Sequence, residues 1–145
     1  WGDVDFLILD LPPGTGDIQL TIVQTAELDG VVVVTTPQEV ALIDARKAIG
    51  LFERVETPIL GITENMSYFQ CPSDGKIYHI FGEGGGEREA AKLGVPLLGK
   101  IPLDISTRSG GDEGRPVALE DPGQNPVSAA FRQVAEQCAR VVLDR

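Results

Sequence analysis

Apolar positions along the chain fall into short β-branched runs separated by longer stretches with helical spacing. Phe6–Leu9, Val31–Thr36, Pro58–Thr63 and Pro96–Ile101 are the strand-like runs. Val31-Val32-Val33-Val34 lacks polar alternation, which suits a parallel strand covered on both faces. Asp17–Leu28 predicts a helix with Asp17 as its N-cap. Gln38–Val55 places Ala41, Ala45, Ala48, Phe52 and Val55 on one stripe, with Asp44, Lys47, Glu53 and Arg54 facing out. Glu87–Leu93 reads as a short helix stopped by Gly94. The last helix runs from Asn125 to about Leu143, with Val127, Phe131, Val134, Cys138 and Val141 on one face, which makes Cys138 a core residue. Strands alternating with helices imply an open α/β parallel sheet with right-handed crossovers.

Two stretches break this rhythm, Glu64–Gly86 and the Gly-, Pro- and Asp-rich Ser106–Asn125. Loops of that length in a compact domain are usually functional or mobile. In an open α/β sheet, ligands sit beyond the carboxyl ends of the strands. The loops after Leu9, Thr36, Thr63 and Ile101 are all expected at that edge.

A chain of 145 residues fits one domain, and no apolar stretch reaches the roughly 18–20 residues that cross a bilayer. The net charge of −10 repels phosphate backbones and anionic lipid, so nucleic acid and membrane are poor partners. A nucleotide is still compatible, because backbone N–H groups and a metal can hold it locally. Two cysteines, Cys71 and Cys138, make no disulfide framework and suggest a reducing compartment, with the cytoplasm as the default. No secretory leader pattern is present, and the first residue is Trp1 rather than methionine, which hints at a fragment.

The strongest chemical signal is Val4–Asp17, an apolar run that ends in Asp10 and continues as Leu11-Pro12-Pro13-Gly14-Thr15-Gly16-Asp17. A carboxylate at the end of a buried strand is costly unless something compensates it. A hydrated magnesium would do so, since Mg²⁺ keeps several waters and is held through one or two acids. Gly14 would let the backbone approach a terminal phosphate and sense it. The alternative is a strand-end Asp that caps the turn before Asp17. No G-x-x-x-x-G-K-[ST] loop occurs in the chain.

Together with Thr36-Pro37-Gln38-Glu39-Val40-Ala41-Leu42 and Glu64-Asn65-Met66-Ser67-Tyr68-Phe69, the Asp10–Asp17 run resembles the Mrp/NBP35 family. These are P-loop ATPases related to MinD and to nitrogenase iron protein that act as iron–sulfur cluster carriers. Phe81-Gly82-Glu83-Gly84-Gly85, Ile101-Pro102-Leu103-Asp104 and Gly111-Asp112-Glu113-Gly114-Arg115-Pro116-Val117 continue the likeness. It covers essentially the whole chain but only the second half of such a protein. The implied fold is the C-terminal half of a P-loop NTPase domain of the SIMIBI type, with residues 1–145 as a single partial domain. The implied cofactors are ATP, Mg²⁺ and a [4Fe–4S] cluster. The implied partners are a second copy in a homodimer and recipient apo iron–sulfur proteins.

By the same resemblance, Asp10 stands behind a magnesium water, Gly14 senses the γ-phosphate, and Asn65 reads adenine with Pro102 and Asp104 bordering the base. Read without the family, Asn65 is a turn residue after a strand. Many members have C-x-x-C where this chain has Cys71-Pro72-Ser73-Asp74. Asp74 is a hard oxygen ligand, so either other ligands complete a cluster site at Cys71, or the cluster is labile, or none binds. The other readings are a MinD-like ATPase that positions protein cargo without a cluster, and a non-catalytic scaffold. Lacking the phosphate loop, the chain alone is expected to hydrolyse ATP negligibly. His79 fits a short hairpin strand, Gly82–Gly86 a flexible lead into a helix, and Asp112, Glu113 and Asp121 a solvated surface.

Overall fold

The computed structural model describes residues 2–14 and 16–144; Trp1, Thr15 and Arg145 lie outside the described residues. Three parallel strands, β1 (Val31–Thr35), β2 (Ile59–Glu64) and β5 (Leu97–Lys100), form a sheet in the order β1-β2-β5. A two-stranded antiparallel hairpin, β3 (Phe69–Gln70) and β4 (Ile77–Tyr78), follows β2. The helices are α1 (Asp17–Thr25), α2 (Glu39–Arg54), α3 (Gly85–Leu93), α4 (Ile105–Asp112) and α5 (Pro126–Leu143), with a 3-10 turn at Val117–Leu119.

The open parallel sheet flanked by helices is the expected architecture. Val33 of β1, Ile62 of β2, Ala45 and Ile49 of α2, and Ala90 of α3 form one buried cluster. Helix α5 packs on β5 and β2 and contributes no member to that cluster. The stripe of α2 is rotated from its expected phase. Leu42, Ala45, Ile49 and Phe52 are buried, whereas Ala41 and Ala48 are only partly so. The 3-4-3 spacing with the larger side chains won, because burying Leu and Ile removes more apolar area than burying Ala.

Four further expectations need correction. Phe6–Leu9 is not a strand: residues 4–12 have no regular structure, and Phe6, Leu7, Ile8 and Leu9 are exposed, Ile8 by 88%. A strand needs neighbours for its N–H and C=O groups, and none of the described strands pairs with this run. Asp17 is the first residue of α1 rather than its cap; Gly16 holds the cap position without a side-chain bond. The stretch from Ser106 is not all loop, because α4 starts there behind an Asp104 cap. Its Gly110-Gly111 pair, poor in helix propensity, hid it. Finally, the stripe of α5 is only half covered: Val127 is buried, Val134, Cys138 and Val141 are intermediate, and Phe131 is exposed.

Candidate functional site

Parallel strands end together, so the loops after β1, β2 and β5 meet at one edge. Hydrogen bonds stitch them there: Asn65 N donates to Thr35 O at 2.7 Å, Ile101 N to Glu64 O at 2.9 Å, and Ser67 N to Ile101 O at 3.0 Å. Leu103 N then donates to Tyr68 O at 2.7 Å, and Phe69 forms a parallel bridge with Leu103. Asn65, Pro102 and Asp104 are thus drawn to one edge, as the sequence suggested. Pro102 is buried, while Asn65 and Asp104 are half-buried.

Asn65 and Asp104 are each oriented by hydrogen bonds to neighbouring residues. The Asn65 Oδ1 accepts from the backbone N–H of Met66 at 2.9 Å. Asp104 caps α4, accepting from Thr107 N at 2.7 Å, from the Thr107 hydroxyl at 3.1 Å and from the Ser106 hydroxyl. Burial pushes the Asp104 carboxyl up, but the donors from Ser106 and Thr107 prevail and hold it below its ordinary value of 3.8. The Thr36 and Thr63 hydroxyls, at the ends of β1 and β2, are buried with no partner among the described residues.

Two glycines bring α3 against the edge. A Cβ on Gly85 would lie 2.5 Å from the carbonyl oxygen of Pro37, and one on Gly86 would lie 3.0 Å from Glu64 Cβ. The first turn of α3 therefore sits directly on the loop after β1 and on the last residue of β2. This is a role that the Gly-rich run did not announce in the sequence. Glu64 is wholly buried beneath it, and Arg46 of α2 binds Glu89 of α3 through two bonds of 2.7 Å. Arg46 also reaches Glu39, at the start of α2, at 2.8 Å. Neither Glu64 nor the Arg46–Glu89 pair was picked out as functional from the sequence. A charged residue at the end of an apolar strand was the available signal for Glu64.

Among the described residues, the Asp10–Asp17 run takes no part in the hydrogen bonds that stitch this edge. Asp10 is exposed. Gly14 has φ +99°, a left-handed conformation that favours glycine. The turn is gathered by Gln19 of α1, a residue the sequence reading passed over. Its buried amide nitrogen donates to the carbonyls of Pro12, Pro13 and Gly14 at 2.6, 3.0 and 2.9 Å.

Cys71 follows β3 at the hairpin tip, and its Sγ lies 3.1 Å from the Ser73 hydroxyl. That contact, joined by the backbone N–H groups of Ser73 and Asp74, holds the thiol below its ordinary pKa. Asp74 turns back to its own loop, accepting from Lys76 N at 3.0 Å. Among the described residues, no group of three or more His, Cys, Asp and Glu side chains is gathered to hold a metal ion. His79 follows β4, with Nε2 3.6 Å from a Glu83 oxygen. Among the described residues no helix is long and apolar enough to cross a membrane.

A three-stranded parallel sheet flanked by helices, with its loops converging at one edge, defines an open α/β protein. The family model described as "ParA: NUBPL iron-transfer P-loop NTPase" matches residues 1–139. The chain belongs to this family. An iron–sulfur cluster carrier protein of Pyrococcus furiosus is 50% identical over 137 residues, which is 94% of this chain and 46% of that protein. An Arabidopsis thaliana iron–sulfur protein required for NADH dehydrogenase, mitochondrial, is 49% identical over 140 residues, 97% of this chain and 44% of the relative. A solved Archaeoglobus fulgidus nucleotide-binding protein in complex with ADP superposes with a TM-score of 0.72 at 44% identity, covering 79% of this chain and 47% of its own. The chain thus spans about half the length of the relatives it matches.

Proposed function

We propose that the whole protein carrying this chain is an ATP-binding iron–sulfur cluster carrier, and that this chain is the second half of its ATPase domain. Cys71 presents a thiolate to the cluster, which is cargo, and two copies in a homodimer would bring two such thiolates together. Recipient apo iron–sulfur proteins are its partners, and its two free cysteines fit the cytoplasm as its compartment. Asn65, with Pro102 and Asp104, faces the adenine base, and Gly14 approaches the terminal phosphate. Asp10 is exposed rather than buried, so no desolvation calls for a compensating ion; by the resemblance alone it would hold a magnesium ion through the ion's waters. That ion neutralises phosphate charge when bound.

The observation that carries this reading is the continuity of the site. The turn bearing Asn65 runs without interruption into the hairpin bearing Cys71, and Leu103, between Pro102 and Asp104, is hydrogen-bonded to that same segment. A base at the edge and a cluster at the hairpin would therefore act on one bonded segment, which gives nucleotide state a route to cluster binding. The names of the relatives support the same reading over cargo positioning without a cluster.

Anaerobic reconstitution of the whole protein with iron and sulfide tests it, with and without Cys71→Ala. The expected result is a cluster charge-transfer band that Cys71→Ala abolishes. A band that survives removes Cys71 as a ligand. No band in either protein returns the reading to a cluster-free ATPase.

A further inference from the structure

Glu64 is an acid whose burial the proposed chemistry does not explain. It is 0% exposed, and it has no ion-pair partner within 4 Å among the described residues. The neighbouring ammonium of Lys100 is 2.7 Å from Glu87 instead. An apolar side chain would fill this space without the desolvation a carboxylate suffers, so the acid must be retained for what it bonds. One oxygen accepts from the Ser67 hydroxyl at 2.5 Å and the other from Gly86 N at 2.5 Å. Gly86 lies in the first turn of α3, where the helix dipole favours negative charge.

These two bonds close a brace around the turn that carries Asn65. Met66, inside the turn, has φ +52°, a left-handed conformation that persists in a non-glycine residue only when its surroundings enforce it. The Met66 N–H that this conformation directs at Asn65 can bond only the oxygen of the carboxamide, so it also fixes which end is the amine. A carboxamide of fixed orientation can pair its acceptor and donor with the exocyclic amine and N7 of adenine. Guanine offers acceptors at both positions, which would set oxygen against oxygen.

The geometry points to Glu64 as the positioning residue of base selection: through Ser67 and Gly86 it holds the Asn65 carboxamide in the orientation that prefers adenine to guanine. This rests on the reading of Asn65 as the base-facing residue. Ser67 is the second member of the brace.

The test is equilibrium binding of ADP, GDP and inorganic pyrophosphate to the whole protein, comparing the parent with Asn65→Ala, Glu64→Gln and Ser67→Ala. Glu64→Gln and Ser67→Ala are each expected to lower the ADP-over-GDP ratio by about two- to tenfold, the worth of one hydrogen bond, with pyrophosphate binding unchanged. An unchanged ratio in both, while Asn65→Ala loses it, overturns the role of Glu64 and leaves Asn65 as the base reader. A ratio that survives Asn65→Ala overturns the base reading itself, and this inference with it. Loss of pyrophosphate binding in step with ADP reduces Glu64 to general structural support. Should Glu64→Gln not fold, Ser67→Ala decides alone. Amide hydrogen exchange in the whole protein without nucleotide adds a second readout. Faster exchange at Asn65 and Met66 in Ser67→Ala supports the brace, and unchanged exchange overturns it.

Discussion

Glu64 and Asp10 both end apolar runs, yet they occupy opposite environments. Glu64 closes β2, is wholly buried, and braces the turn after it against α3. Asp10 closes Val4–Leu9, is exposed, and follows apolar side chains that are themselves exposed. The difference is one of neighbours. β2 has β1 on one side and β5 on the other, so its backbone is bonded along both edges and its side chains are covered by helices. The Val4–Leu9 run has no paired neighbour among the described strands. An apolar run becomes a strand only when another strand satisfies its backbone, however strong its own pattern.

The contrast can be broken most sharply at the core. Ile62→Ala, at a fully buried position in β2, should lower unfolding stability by about 2–5 kcal/mol through lost transfer energy and a residual cavity. Ile8→Ser, in the exposed run, should change it by less than about 0.5 kcal/mol while improving solubility. Urea unfolding of both variants measures the difference. Equal losses at the two positions would mean that the N-terminal run is packed in solution.

A second contrast lies in how the elements around the stitched edge depend on pH. The bonds from Arg46 hold the Glu89 carboxyl below its ordinary 4.5, more than burial raises it. The folded pKa lies below the unfolded one, so the protein binds fewer protons when folded in this window. The stabilisation is therefore full above about 4.5 and is lost as pH falls through the lower, folded value. Thermal melts from pH 7 to pH 3 should show the parent more stable than Glu89→Gln at neutral pH, with the gap closing below pH 4.5. A gap independent of pH would remove the ion pair as its source.

The smallest expected effect separates the two cysteines. The Cys71 thiol is lowered by Ser73 and the adjacent backbone donors, whereas burial raises that of Cys138. Iodoacetamide at neutral pH should modify Cys71 several-fold faster than Cys138, roughly in proportion to thiolate fraction and access. Ser73→Ala should narrow that ratio. Peptide mass spectrometry over time reads both rates, and faster labelling of Cys138 would contradict the hairpin geometry.

Much of the fold was legible because its signals are local and cumulative. Val31–Val34, the Pro58–Thr63 run and the last helix from Asn125 each declare themselves through composition or period. The short helix ending at Gly94 likewise stops where a left-handed glycine is found, at φ +68°. The candidate site was partly legible. Asn65, Pro102 and Asp104 stand out by resemblance, and their gathering at one edge follows from parallel strands ending together. What stayed hidden were the residues that act at long range. Glu64 reaches Gly86 across 22 positions, and Arg46 reaches Glu89 across 43. Helix α4 was hidden by its own glycines, and the phase of the α2 stripe by alanines that fit either face.

The alternation of strand and helix, the placing of the turn residues and the kinship of the chain can be read along the chain, because they rest on period, composition and collinear motifs. Which acid is buried and braced, which apolar run is a strand, and which thiol is lowered are settled in three dimensions. Those outcomes depend on what lies opposite each residue in space. Burial, pairing and hydrogen-bond donation are properties of that neighbourhood rather than of the residue alone.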